Sequence, residues 1–306
     1  MDGILLIDKP AGLTSHDVVA RVRRILKTKR VGHTGTLDPF ATGVMVILVG
    51  KATRLAQFLD KDEKVYEAIV RFGFETDTGD RTGAKREVET GRRGDAMTIE
   101  EIRKILPSFT GEIEQTPPMY SAKKIEGKKL YEFARKGIEI ERKAVRIKIS
   151  KLEVYEIPDD NTDRTDLGPW TLDFGLTVAC SAGTYVRTLA EDIGRAADSG
   201  AHLAELRRTR AGKFELADSV KIDELNGAED PTTYLIPMEE AVSHIPSIVL
   251  NADRAAKTHN GLSTRIFDLE FGSGQAVQML NEDKEIIAIG FYNETEKTVQ
   301  PKIVLS

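Results

Sequence analysis

The chain has 306 residues, 40% of them hydrophobic and 30% charged, with a formal net charge of −5, which is typical of a globular protein. No run of 18 apolar residues, HExxH or CxxC motif occurs, and Cys180 is the only cysteine. We therefore expect a cytoplasmic protein with no secretory signal, membrane span, disulfide or metal site.

Charge is distributed unevenly along the chain. Residues 121–151 contain 11 basic and 4 acidic residues, and residues 1–60 contain 9 and 5, whereas residues 214–306 contain 7 and 16. A polyanion responds to the local field rather than to the net charge. The first two segments are therefore candidate nucleic-acid surfaces.

The first half of the chain alternates between apolar runs and amphipathic stretches. Apolar and β-branched runs predict strands at residues 3–8, 44–49 and 66–72. Ser15 is the expected N-cap of a helix with Val18, Val22 and Ile25 on its buried face. Thr98 is the expected cap of a second helix that ends at residue 106.

The second half predicts a short helix at residues 130–136, a strand pair at 145–157 and 171–180, and a helix at 184–197. An acidic, turn-rich loop is expected at 158–169, and Gly200 stops the last helix. Glycines and prolines at 226–247 predict a domain boundary before a small β-rich unit. Because strands and helices mix without regular βαβ alternation, we predict an α/β fold of the α+β type, with a mixed sheet flanked by helices.

Residues 31–43, VGHTGTLDPFATG, are the densest group of chemically special residues. Their glycines permit close approach of a ligand, and Pro39 restricts the backbone directly after Asp38, the only carboxylate of the stretch. Such a loop suits a nucleophile or base, although the residues alone also fit a simple Asp-Pro turn. A phosphate-binding loop before Lys51 is disfavoured, because Met45 and Ala52 occupy two of its required positions.

Six sequence blocks occur in the order and spacing of a known family. They are KPAGLTS at residues 9–15, GHTGTLDPFATG at 32–43, KVY at 64–66, PMYSAK at 118–123, GTYVRT at 183–188, and GAHL with LRRT at 200–209. With these blocks the chain resembles the bacterial tRNA pseudouridine-55 synthase (TruB) family. The resemblance implies a pseudouridine synthase domain at 1–235, an RNA-clamping insertion at about 121–150, and a PUA-like domain at 245–306.

The resemblance also implies catalytic roles. Asp38 would be the essential carboxylate, although attack at C1′ or C6 and removal of a ribose proton all remain open. Arg187 would pair with Asp38 and lower its pKa. Tyr185, two residues earlier on an extended segment, would point to the same side and contact the ribose. Tyr66 would stack on the extruded uracil, although a tyrosine on a strand is also common in a core.

Further residues are implied in RNA binding. His33 would enter the T-loop, and Leu206 would line the pocket beneath the base, although its spacing equally suits a core leucine. Phosphate contacts would come from basic side chains, which are Lys9, Lys123, Lys124, Lys128 and Lys129, with Arg21 and Arg24 as weaker candidates. A charge-rich run of this kind is also often a solvated surface.

The expected activity is that of an isomerase that acts on the T-stem-loop of tRNA as a monomer, without cofactor, membrane or obligatory protein partner. Three alternatives stay open. They are a guide-RNA-dependent synthase subunit, a tRNA-binding or tRNA-folding chaperone, and a phosphoryl-transfer enzyme. The acidic charge of residues 214–306 argues against a strong RNA contact by the PUA-like domain.

Overall fold

The computed structural model describes residues 1–86, 97–125, 127–157, 172–266 and 271–305. Its strands are β1 (Gly3–Lys9), β2 (Val31–Thr34), β3 (Thr42–Val49), β4 (Lys64–Phe72), β5 (Glu75–Thr76), β6 (Lys85–Arg86), β7 (Gly111–Gln115), β8 (Lys124–Ile125), β9 (Lys128–Lys129), β10 (Val145–Glu156), β11 (Leu172–Cys180), β12 (Ala201–Ala211), β13 (Phe214–Glu215), β14 (Val220–Lys221), β15 (Ser247–Val249), β16 (Thr264–Arg265), β17 (Ala276–Leu280), β18 (Ile286–Asn293) and β19 (Thr298–Val304). Its α-helices are α1 (Ser15–Ile25), α2 (Ala56–Leu59), α3 (Ile99–Ile105), α4 (Leu130–Ala134), α5 (Val186–Ala196), α6 (Ile222–Gly227), α7 (Met238–Ala241) and α8 (Ala252–His259).

The main sheet is mixed, as the sequence predicts. Its strand order is β14-β1-β3-β12-β4-β11-β10-β7, with β2 added to β3 and β13 added to β12. The β1–β14 and β3–β12 pairs are parallel and the other pairs are antiparallel. Strand β12 lies next to both β3 and β4, so residues from three distant parts of the sequence meet at the centre of the sheet.

Alternate side chains of β1 are buried in two different hydrophobic clusters, one on each face of the strand. Leu5 and Ile7 pack in a cluster with Val18 and Val22 of α1. Ile4, on the opposite face, packs in a second cluster with C-terminal residues such as Ile303. Both faces of β1 are therefore buried, which explains its unbroken apolar sequence. Helices α3 and α5 cover β4 and β11 in a third cluster.

A second sheet, with strand order β15-β17-β18-β19-β16, forms the C-terminal β-rich unit. The segment that precedes this sheet in the chain is tied to β1 by two backbone hydrogen bonds between Ile4 and Ile236, with N–O distances of 2.9 and 2.7 Å. Within the described ranges, no helix is long and apolar enough to cross a membrane.

The predicted strands and most helices are confirmed, with two corrections. The N-cap of α1 is Thr14, which forms a capping box with Asp17, because Ser15 turns inward to the Leu37 backbone instead. Helix α5 begins at Val186, two residues later than expected. The loop expected at residues 158–169 lies outside the described residues.

Candidate active site

Lys9 lies beneath the loop that carries Asp38, with none of its surface exposed. Its ammonium group donates hydrogen bonds to three backbone carbonyl oxygens, those of Pro10 (3.0 Å), Pro39 (3.3 Å) and Ala41 (2.5 Å). Burial lowers the pKa of Lys9 to about 8. The expectation that Lys9 contacts phosphate is therefore wrong, because its donors are already used inside the protein.

Two further buried side chains hold the same loop. The Ser15 hydroxyl donates to the Leu37 carbonyl at 3.0 Å and accepts from the Leu37 amide at 2.9 Å. Arg208 on β12 donates to the carbonyl oxygens of Gly35, at 3.0 Å, and Val44, at 2.8 Å. The backbone on both sides of Asp38 is thus fixed by the main sheet and by α1, which is the preorganisation that a reactive carboxylate requires.

Arg187, in the first turn of α5, faces Asp38. Its Nε lies 2.9 Å from Asp38 Oδ2, and its Nη2 donates to Asp38 Oδ1 at 3.3 Å. The guanidinium also donates to the carbonyl oxygens of Thr78 and Tyr120, both at 2.7 Å, and its Nη1 lies 3.7 Å from Asp80 Oδ2. Four groups therefore fix the orientation of Arg187, although the Nε–H has no acceptor in hydrogen-bond geometry among the described residues.

The pKa of Asp38 is raised above its ordinary value, mainly because burial disfavours the charged carboxylate. The cation of Arg187 opposes this effect, whereas the nearby carboxylate of Asp80 reinforces it. Arg187 does lower the pKa of Asp38, but desolvation is the larger contribution, so the net shift is upward. The carboxylate still keeps 34% of its side-chain surface exposed, so a bound ligand has access to it.

A cavity of about 320 Å³ opens beside this ion pair, a size that falls among the smaller ligand pockets of proteins. Five residues proposed from the sequence line it together with Asp38. They are Tyr66, Lys123, Tyr185, Arg187 and Leu206.

Tyr66, on the central strand β4, is a buried residue of the cavity lining. It is paired in register with Arg208 of β12, whose cation lies close enough to influence the pKa of the phenol. Burial raises the pKa of the phenol, and Arg208 partly offsets that rise. Arg208 therefore lies next to Tyr66 in the sheet and also binds the Asp38 loop at Gly35.

Tyr185 reaches the cavity in a different way from that expected. It is the N-cap residue of α5, and Arg187 lies within the helix, so the two residues do not belong to one extended segment. They line the same cavity because the helix begins at its wall.

The other proposed RNA-binding residues lie outside the cavity lining. His33 on β2 is half-buried, its ring packs edge-on against His16 with centroids 5.9 Å apart, and burial lowers its pKa. Lys124 pairs with Lys129 across the β8–β9 hairpin, which also carries Lys128.

The structure adds residues that the motifs alone did not indicate. Asp80 is 4% exposed, and its Oδ1 accepts hydrogen bonds from the Thr82 amide and from the hydroxyl groups of Thr78 and Thr82. These hydrogen bonds hold a turn around Asp80. The sequence signal for this turn is a carboxylate between threonines and glycines in TDTGDRTG. Gln115, also buried, has no comparable signal. No cluster of at least three His, Cys, Asp or Glu side chains suited to a metal occurs in the described part of the chain.

The mixed sheet thus carries a cavity in which an Asp–Arg pair lies beside a buried tyrosine. The chain matches the N-terminal domain of TruB family pseudouridylate synthases over residues 23–186 and the tRNA pseudouridylate synthase B C-terminal domain over residues 187–243. The protein belongs to the TruB family.

Similar proteins with curated names agree. The tRNA pseudouridine synthase B of Geobacillus thermodenitrificans is 48% identical over 87% of this chain and 86% of its own. That of Bacillus subtilis is 41% identical over 97% of this chain and 95% of its own.

Among solved structures, one described as a Cbf5-Nop10-Gar1 complex is similar with a TM-score of 0.72 at 28% identity, over 99% of this chain and 85% of the other. Another, an H/ACA RNP bound to a substrate RNA containing 2′-deoxyuridine, has a TM-score of 0.71 at 26% identity, with the same coverage.

Proposed function

We propose that this protein is a tRNA pseudouridine synthase that isomerises uridine 55 in the T-loop of tRNA. The observation that carries the proposal is the Asp38–Arg187 pair, which lines a cavity of about 320 Å³ together with Tyr66. The names of the curated relatives, at 41–48% identity, support the same activity.

The reaction breaks the bond between C1′ and N1 of the uridine and forms a bond between C1′ and C5. C5 loses a proton and N1 gains one, so the product is an isomer of the substrate. No external oxidant or cofactor enters this balance. The target base lies inside a folded loop, so it must be extruded into the cavity before the reaction.

Asp38 is the catalytic residue of this proposal, acting in its ionised form as a nucleophile at C1′ or C6, or as a base toward a ribose proton. Arg187 favours ionisation against the opposing effect of burial. Tyr66 stacks on the extruded base, and such stacking contributes roughly 1–3 kcal/mol per base, which offsets part of the unstacking cost. Leu206 supports the base from below, and Tyr185 contacts the ribose.

The basic insertion at residues 121–150 is the proposed RNA clamp. Lys124 and Lys128 are exposed on its hairpin, and Lys123 lies at the edge of the cavity. Because such cations contact phosphate rather than bases, they give affinity with little sequence content. His33, on the β2 edge outside the cavity, would enter the T-loop beside the displaced nucleotides.

We further propose a division into a catalytic domain at 1–235 and a PUA-like domain at 245–306, and that the monomer acts alone in the cytoplasm. One of the similar structures is a complex of Cbf5 with Nop10 and Gar1, so dependence on partners is the principal alternative. A tRNA-folding chaperone is the second alternative. Both differ from the proposal in what the purified protein does by itself.

The test is incubation of the purified protein alone with an unmodified tRNA transcript, followed by mapping of pseudouridine and measurement of tRNA affinity. We expect pseudouridine at position 55 with wild type and none with Asp38→Asn or Asp38→Ala, while tRNA binding persists. Asp173→Asn is the matched control. Asp173 also pairs with an arginine, Arg71, through two hydrogen bonds of 2.8 Å, but outside the cavity, so this variant should stay active.

Binding without modification by wild type would contradict the stand-alone synthase and favour the chaperone or the partner-dependent enzyme. Activity of the Asp38 variants equal to that of Asp173→Asn would contradict the assignment of the catalytic carboxylate.

A further inference from the structure

Gln115 is the last residue of β7, the edge strand of the main sheet, and is 2% exposed. Its side-chain amide reaches the backbone of Tyr185, 70 residues away in the chain. The Gln115 Nε2 donates to the Tyr185 carbonyl at 3.0 Å, and the Tyr185 amide donates to Gln115 Oε1 at 2.8 Å. One side chain therefore satisfies both backbone groups of one residue.

The residue held in this way is the start of the helix that carries Arg187. Tyr185 is the N-cap of α5, and its own side chain makes no capping hydrogen bond. A helix start is usually held by hydrogen bonds from its own cap residue. Here the hydrogen bonds come instead from Gln115, which belongs to a strand. The backbone from which Tyr185 and Arg187 project toward Asp38 is thereby tied to the edge of the sheet.

Gln115 also lies at the base of the basic insertion. The chain leaves the sheet after Gln115 and returns at Val145, and these two residues are directly paired across β7 and β10. Between Gln115 and the β8–β9 hairpin, the Tyr120 carbonyl accepts a hydrogen bond of 2.7 Å from Arg187, and Ser121 and Lys123 line the cavity. The segment that connects sheet to insertion therefore contacts the start of α5 at two points.

We propose that Gln115 is a positioning residue for the reaction. It holds the N-terminus of α5 so that the side chains of Arg187 and Tyr185 are correctly placed relative to Asp38. Gln115 acts through the Tyr185 backbone and touches no reacting atom. This inference rests on the proposed function, because it concerns the geometry of the same Asp38–Arg187 pair.

The test compares Gln115→Leu with Gln278→Leu. Gln278 is also buried, at 4% exposure, and its Nε2 donates to two backbone carbonyls, those of Val242 (3.1 Å) and Ile245 (2.7 Å), but it lies in the second sheet. Both variants lose two hydrogen bonds between a buried glutamine and the backbone. Only Gln115→Leu changes the support of α5, so Tm, tRNA Kd, and kcat with its pH profile are measured for both.

We expect kcat of Gln115→Leu to fall roughly 10- to 100-fold, the range that displacement of a reacting group by about 1 Å can cause. The tRNA Kd should stay within about threefold, since phosphate contacts dominate affinity. The acid limb of the kcat profile should move to higher pH, because a displaced Arg187 opposes the raised pKa of Asp38 less well. Gln278→Leu should lower Tm and leave kcat and its pH profile unchanged.

Gln115→Asn provides a second variant that keeps the amide group but shortens the side chain by one methylene group, so it weakens the two hydrogen bonds to the Tyr185 backbone without adding a charge. It should lower kcat by less than Gln115→Leu, and it carries the test if Gln115→Leu does not fold. The inference is overturned if the Gln115 variants match Gln278→Leu in kcat and pH profile, or if their entire defect lies in Kd. A wild type that makes no pseudouridine would instead overturn the proposed function.

Discussion

The Asp38 loop and the basic insertion both contain positively charged side chains, and they use them in opposite ways. Beneath and beside the loop, the cations of Lys9, Arg187 and Arg208 are buried and donate to backbone carbonyl groups. In the insertion, Lys124 and Lys128 are exposed, and among the described residues neither ammonium group donates to a backbone carbonyl. The first set fixes the backbone around Asp38, and the second keeps its charges exposed to solvent.

Counting basic residues therefore does not identify an RNA surface. A lysine in water keeps its donors available for phosphate, whereas a buried lysine must satisfy them within the protein. Burial also lowers the pKa of Lys9 to about 8, so its charge is less firmly held than that of an exposed lysine. Variants of the two sets should accordingly fail in different ways.

The largest effect is expected from Arg187→Gln, which removes the cation beside Asp38. We expect kcat to fall by at least about 100-fold, because the carboxylate loses its positioning partner. In the proposed mechanism Asp38 acts in its ionised form, and burial already raises its pKa above the ordinary value. Loss of the opposing cation raises that pKa further, so activity should disappear at a higher pH as the solution is acidified. A pH–rate profile measures this shift of the acid limb.

Arg71→Gln is the control for that experiment, since it breaks the Arg71–Asp173 pair outside the cavity. Its acid limb should coincide with that of wild type. A limb of Arg187→Gln that moves to lower pH would refute the assigned electrostatic role.

Lys9→Met should cause the next largest effect, this time on stability. It removes the Lys9 donor from the carbonyl groups of Pro10 and Ala41, whereas the Pro39 carbonyl still accepts a hydrogen bond of 2.8 Å from the Gly12 amide. Unsatisfied buried acceptors cost about 1–3 kcal/mol, so we expect the free energy of unfolding to fall by about 3 kcal/mol in denaturant titrations. Lys128→Met, on the exposed hairpin, should stay within about 0.5 kcal/mol of wild type. An equal loss of unfolding free energy in both variants would contradict the proposed difference between buried and exposed lysines.

Salt dependence tests the insertion directly. The triple variant Lys124→Ala, Lys128→Ala, Lys129→Ala should weaken tRNA binding and reduce the slope of log K against log salt by about 0.7–0.9 for each phosphate group that the protein no longer neutralises. The matched triple variant of exposed lysines in the C-terminal unit, Lys284→Ala, Lys297→Ala and Lys302→Ala, should leave the slope unchanged. A reduced slope only in the second triple variant would move the RNA surface to the C-terminal unit.

The smallest effect is expected from Tyr66→Phe. The ring that we propose to stack on the base is retained, and only the buried hydroxyl near Arg208 is removed. We expect a loss of about 1 kcal/mol in the free energy of unfolding and a kcat within about tenfold of wild type. Tyr155→Phe, at an exposed position, is the control and should change neither quantity. A loss of activity in Tyr66→Phe as complete as that in Asp38→Asn would mean that the hydroxyl takes part in the chemistry.

Local signals in the sequence determined most of the elements. Continuous apolar runs predicted β1 and β3 because strands buried on both faces need apolar residues at every position. Thr98 predicted the start of α3, and the structure places it there as the N-cap, in a capping box with Glu101. The motif blocks also singled out Asp38, Tyr66 and Arg187, three residues that line one cavity. All of these signals lie within a few neighbouring residues.

Only the tertiary structure decided the burial and the hydrogen-bond partners of polar groups that are far apart in the chain. The sequence does not show that Lys9 is buried against Ala41, or that Gln115 binds the backbone of Tyr185. It also did not show that burial outweighs Arg187 in setting the pKa of Asp38. Desolvation and hydrogen-bond partners depend on which segments pack together, and a single residue type carries no record of its partner. Residue types therefore indicated the chemistry, while the packing of the chain decided where it is placed and how strongly it is held.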